Sequence, residues 1–152
     1  MASPLTLLLP VLPGIDPSTL GSKLQQVQPL LNEALATIGT VHFARFLFLD
    51  TSTPNLQIGG NPNASYVIGV VTEYDGSFEA YIGDFVAKVG TIFDQLLEVV
   101  VGGQALIPVA NNVAAFQAFI ALNDASQHAP NNEPMYQAYT ATVQQILASL
   151  PS

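Results

Sequence analysis

The sequence predicts an α+β fold, with an antiparallel sheet in split β-α-β order, helices on one face and a helical insertion before the last strand. Three observations lead there. Short runs rich in β-branched and aromatic residues alternate with two long segments of helical periodicity. Their order is strand, helix, strand, strand, helix, extra helix, strand. Finally, both parities of residues 41–50 are apolar, with Val41, Phe43, Leu47 and Leu49 on one side and Ala44, Phe46 and Phe48 on the other. A sheet built from such strands needs cover on both faces.

The first strand is the run PLTLLLPV at 4–11, ended by Pro13-Gly14. It resembles a signal peptide only superficially, because it has no basic leader, is interrupted by prolines and lacks a small-residue cleavage site. Asp16 is the expected N-cap of the first helix and Pro17 its first residue. Leu20, Leu24, Val27, Leu31, Leu35 and Ile38 then recur at helical spacing until Gly39, with Pro29 expected to kink the helix. The strand 41–50 follows, then a Pro/Gly/Asn-rich loop and a third strand at 65–75. The second helix starts at Ser77, its expected cap, and presents Phe78, Tyr81, Ile82, Phe85, Val86, Val89, Phe93, Leu96 and Leu97 on one face. The uncharged stretch Val99–Asn123 is long enough for a membrane span. Gly102-Gly103, Pro108 and Asn111-Asn112 interrupt it, which predicts a loop and a buried helix instead. Residues 133–141 are expected to form the last strand and TVQQILASL a short terminal helix, with all 152 residues in one domain.

Composition narrows the partners. Hydrophobic residues make up 49% and charged residues 9% of the chain, so few charges are present to coat a monomer and a homodimer is expected. Eleven acids against three bases give a formal charge of -8, which excludes the phosphate neutralisation that nucleic-acid binding needs and disfavours anionic membranes. The absence of cysteine excludes disulfides, thiolate nucleophiles and cysteine-ligated metals. With no targeting signal read, a cytoplasmic protein is expected. There is no P-loop, no G-x-G-x-x-G, no G-x-S-x-G and no H-E-x-x-H. The sequon Asn63-Ala64-Ser65 is incidental in this context.

The order of elements, the two-sided sheet and the segments HFARFLFLD and TEYDGSFEAYIGDF resemble the dimeric α+β-barrel superfamily of ferredoxin-like proteins. The nearest likeness is to its uncharacterised bacterial members, in which an H-F-A-R strand precedes a strand ending in D-G. The resemblance spans about residues 4–100. It implies a homodimer whose sheets face each other around a cavity. The superfamily contains haem-degrading and cofactor-free monooxygenases, dye-decolorising peroxidases, chlorite dismutases and proteins with no known chemistry. It therefore implies haem as a cofactor to consider, and no particular reaction.

The candidate site follows from pairing 41–50 with 65–75 as a hairpin. That register sets His42 near Tyr74 and Asp75, and Arg45 opposite Val71 with Glu73 on the diagonal. Residues 42 and 45 point to opposite faces unless a bulge intervenes. Arg45, the sole arginine, reads in two ways: a buried ion pair with Glu73, or an anchor for a carboxylate or enolate in an apolar cavity. His42 with Asp75 reads as a general acid–base couple or as a hydrogen bond that satisfies a half-buried ring. Tyr136 and Tyr139 are candidates to offer hydroxyls to the cavity, against plain core packing. His128 belongs to a loop segment, DASQHAPNNE, that lacks the glycine turn and terminal glutamate of a calcium loop. Two functions remain open: a binding protein or oxygenase-like enzyme for a small apolar, anionic molecule, and a noncatalytic dimeric structural or interaction protein.

Overall fold

The computed structural model describes residues 2–61, 63–128 and 140–151. Three strands, β1 (Ala2–Pro10), β2 (Val41–Asp50) and β3 (Tyr66–Asp75), form an antiparallel sheet in the order β1-β3-β2. Helix α1 (Pro17–Ile38) connects β1 to β2, and α2 (Phe78–Leu97) follows β3. The architecture is α+β, and the strand expected at 133–141 lies outside the described residues except for its last two positions.

Local chemistry sets the helix limits. Asp16 is extended, and its carboxylate accepts the Ser18 N–H at the open first turn of α1. Gly39 ends the helix at φ 68°, where a side chain would be strained. The helix runs from Pro17 to Ile38 through Pro29, which lies on its exposed side. A non-helical residue interrupts α2 at Val89 (φ -133°, ψ 18°). The Ser77 hydroxyl caps α2 by accepting the Ala80 N–H at 3.2 Å. After α2, Gly102 takes φ 76°, and a Cβ on Gly103 would collide with the Leu97 carbonyl, so this turn requires both glycines.

The stretch Val99–Asn123 forms two 3₁₀ turns and α3 (Val113–Asn123), whose Phe116 and Ile120 are buried. Asp94 of α2 holds the second 3₁₀ turn by accepting the Val109 N–H at 2.8 Å. No helix among the described residues is long and apolar enough to cross a membrane. The next turn, α4 (Ala125–His128), lies along β1. There the buried Asp124 carboxylate accepts N–H bonds from Thr6 at 2.9 Å and Ser126 at 3.0 Å. It thereby satisfies an edge donor of β1 that would otherwise invite another strand. Finally, α5 (Val143–Ser149) opens on a capping box formed by Thr142 and Gln145.

The core is one-sided. Leu5, Leu7 and Leu9 of β1 and Ile68, Val70 and Thr72 of β3 are buried against α1, α2 and α3. On the alternate positions Leu8 is 39% and Phe43 43% exposed, and Leu47, Leu49, Val67 and Val71 are half-buried. At the middle of this second face, Leu47 and Leu8 lean over Gly69, where an added Cβ would stand 3.3 Å from Leu47 Cβ and 3.8 Å from Leu8 Cδ2. The result is a low apolar surface. Because Ile68 is fully buried on the packed side of the central strand, Ile68→Ala is expected to cost about 2–5 kcal/mol of stability, read from urea unfolding midpoints.

Candidate functional site

The β2–β3 register brings the two motifs together. Arg45 pairs with Val71, Phe43 with Glu73 and Val41 with Tyr74, and a β-bulge between Val41 and Phe43 leaves His42 as the extra residue. The bulge releases His42 from strict alternation. Its Nε2 lies 3.1 Å from Asp75 Oδ1, with the two side chains only 6% and 12% exposed. The second oxygen of Asp75 accepts the Val143 N–H at 2.8 Å, one of the four amides that the first turn of α5 leaves open. His42 and Asp75 thus form a small polar knot joining the start of β2, the end of β3 and the C-terminal helix.

Burial acts to raise the Asp75 pKa, but the Val143 N–H and His42 outweigh it and hold the carboxyl below the ordinary aspartate value of 3.8. A depressed folded pKa gives stabilisation that is complete above the unfolded value and lost as pH falls through the folded one.

Arg45 lies on the face away from α2, since its neighbours Ala44 and Phe46 pair with the buried Thr72 and Val70. It is exposed, and among the described residues no ion pair joins it to Glu73 or any other carboxylate. The buried Arg45–Glu73 pair expected from the sequence is therefore absent. An arginine that reaches water from an edge strand has no desolvation to offset. Glu73, half-buried across from Phe43, keeps Oε2 buried with no hydrogen-bond partner among the described residues. Arg45 also lines a groove of about 410 Å³ between α1 and β2.

Tyr74 faces the packed side and is buried, its ring stacked on Tyr81 at 4.0 Å between centroids and 11° between planes. Burial pushes the Tyr81 phenol well above its ordinary range. Thr72, beside it, donates to the Phe43 carbonyl at 2.8 Å. Tyr136 and Tyr139 lie outside the described residues, as does the side chain of His128. Asp50, fully buried at the end of β2, organises the following loop: its carboxylate accepts from the Ser52 hydroxyl at 2.6 Å, the Ser52 N–H at 2.9 Å and the Gly59 N–H at 3.4 Å. The Ser52 hydroxyl is the main influence lowering its pKa.

Haem requires an axial side chain projecting into an apolar slot. The His42 ring is 6% exposed with Nε2 engaged by Asp75, so the residues around it do not fit that role. Among the described residues no cluster of three or more His, Asp and Glu side chains is arranged to hold a metal ion. No protein-family model matches the chain, no curated protein matches it, and no solved structure matches it.

At neutral pH, Asp75→Asn is expected to lose about 1.5–3 kcal/mol, the worth of hydrogen bonds to a charged acceptor. The gap to wild type should start to narrow as pH falls below about 4, where the unfolded carboxyl takes up its proton, and close only below the depressed folded value, where the native carboxyl is protonated too. Paired urea titrations at pH 7 and pH 3 measure both; Asp16 and Asp50, also depressed, are common to the two proteins and cancel.

Proposed function

We propose that this chain is a homodimeric binding protein of the ferredoxin-like, dimeric α+β-barrel type, holding a small, mainly apolar molecule with an anionic group against its sheet. The observation that carries the reading is the exposed Arg45, without an ion pair among the described residues, on a strand whose second face is otherwise apolar. In a chain with three basic residues, a guanidinium that no carboxylate among the described residues engages is suited to grip an anion through its planar fork. Leu8 and Phe43, both more than a third exposed, supply the apolar surface that a second copy would cover.

The enzymatic form of the reading, an oxygenase-like reaction with His42 and Asp75 as acid and base, has weaker support. Both Asp75 oxygens are committed, one to His42 and one to Val143. A base so placed has to give up a structural bond to act. The same knot favours, as a second reading, a noncatalytic dimeric interaction protein in which these residues only fasten α5.

Native mass spectrometry of the purified protein and of Arg45→Met separates the two readings. For the binder, wild type is expected as a dimer carrying added mass, and the variant as a dimer without it, melting within about 2 °C of wild type. A wild-type dimer free of added mass, with a variant that behaves identically, supports the interaction protein. A monomer contradicts both.

A further inference from the structure

We infer that the outer edge of β2 accepts an added β-strand, and that its partner is an extended peptide with apolar side chains at alternate positions and a carboxylate between two of them. This rests on the binding reading above and names the class of molecule that Arg45 meets.

The two edges of the sheet are finished differently. Val11 N–H donates to the Tyr66 carbonyl and Thr51 N–H to the Ser65 carbonyl. In these registers the odd positions of β1, and of β2 beyond the bulge, bond β3, while the even positions point outward. Along β1 the outward groups are engaged. Pro4 and Pro10 carry no N–H, and the Thr6 N–H donates to Asp124. The Pro4 and Pro10 carbonyls accept from the Ser126 hydroxyl at 3.4 Å and the Val101 N–H at 2.9 Å. Along β2 the Asp50 N–H donates to the Leu56 carbonyl and closes one end of the edge. Before it, the outward N–H and C=O groups of Ala44, Phe46 and Phe48 take no hydrogen bond among the described residues. Neither proline nor lysine stands in β2 to discourage pairing.

Side chains on either face define the partner. Ala44, Phe46 and Phe48 face the helix side, where with Leu24, Val27 and Leu31 of α1 they line the groove of about 410 Å³. A strand added along β2 sets every second side chain over that groove, which favours apolar residues at those positions. Its intervening side chains fall on the second face, beside Arg45. The residue across from Arg45 stands in a non-hydrogen-bonded pair, the kind that brings side chains closer. An acid there complements a guanidinium that is exposed and has no ion pair among the described residues. The β2 strand of a second copy fits this edge less well. Aligned with Phe46 against Phe46, the register that uses all three outward positions, it sets the two Arg45 side chains on one cross-strand diagonal.

Hydrogen exchange read by NMR on the full chain, with fluorescence anisotropy for affinity, tests this. The probe is a capped heptapeptide of alternating threonine and valine, with glutamate replacing threonine at its fifth position. Without peptide, the Ala44, Phe46 and Phe48 amides are expected to exchange rapidly and those of Arg45, Leu47 and Leu49 slowly; the peptide should protect the first set. Methylating the nitrogen of the peptide's fourth residue, whose N–H faces β2, should weaken binding at least about tenfold, and methylating the third should stay within about threefold. Ala44→Pro, which removes an outward N–H and spares the ladder to β3, should also cost at least about tenfold. Arg45→Met, or glutamine in place of the peptide's glutamate, should each cost about three- to tenfold. Circular dichroism verifies that the variants fold, and the methylated peptides carry the test on unaltered protein. If the first set is already protected without peptide and loses that protection on dilution, a second copy holds the edge and the peptide acceptor is overturned. Binding that tolerates both methylations overturns strand addition, and binding indifferent to Arg45→Met overturns the acidic ligand class. Absence of protection at about 1 mM peptide overturns the acceptor altogether, while added mass on the purified dimer that Arg45→Met loses still supports a binder.

Discussion

β3 bonds to a neighbour along both edges, and its alternate side chains divide the molecule into a packed side and an open one. Tyr66, Ile68, Val70, Thr72 and Tyr74 point to the helices and are all buried. Val67, Val71 and Glu73 point the other way and are only half-buried. A one-residue slip would exchange the two sets, so burial of the first set fixes the register. That register in turn places Arg45 opposite Val71 and brings His42 within bonding distance of Asp75. The polar features of the molecule therefore depend on the hydrophobic pattern of one strand.

Two polar features sit at opposite extremes of solvation. The His42–Asp75 knot is almost closed to water and ties three elements together, which makes it a stabilising joint that strengthens as its carboxyl ionises. Arg45, three residues along the same strand, is exposed and unpaired among the described residues. The bulge at His42 separates the two roles: it adds one residue to β2, so the histidine reaches the end of β3 while the ladder resumes in register at Phe43.

Much of this was legible in the residues. Asp16, Pro17, Gly39 and Ser77 marked helix limits because capping is local chemistry, independent of what the helix later packs against. The Arg45–Val71 pairing and the His42–Asp75 contact followed from the spacing of two apolar runs. Other features were not legible. Whether Arg45 and Glu73 meet depends on side-chain reach and solvent access, which the pairing register does not determine. The α1–β2 groove is a gap between elements, and periodicity reports which face a helix buries without reporting how closely it seats. The break at Val89 carries no proline or glycine at that position, and the service of Asp124 to the β1 edge spans 118 positions of sequence.

We propose that the apolar second face of the sheet is covered by another copy of the chain. Multi-angle light scattering across a dilution series, on wild type and on Leu8→Lys, tests it most directly. Leu8 lies on that face and is already 39% exposed, so the lysine should leave the protomer folded while placing a charge in the contact. Twice the chain mass is expected for wild type and a single chain mass for the variant, with matching circular dichroism. Wild type at a single chain mass throughout, or a variant that remains fully dimeric, would contradict it.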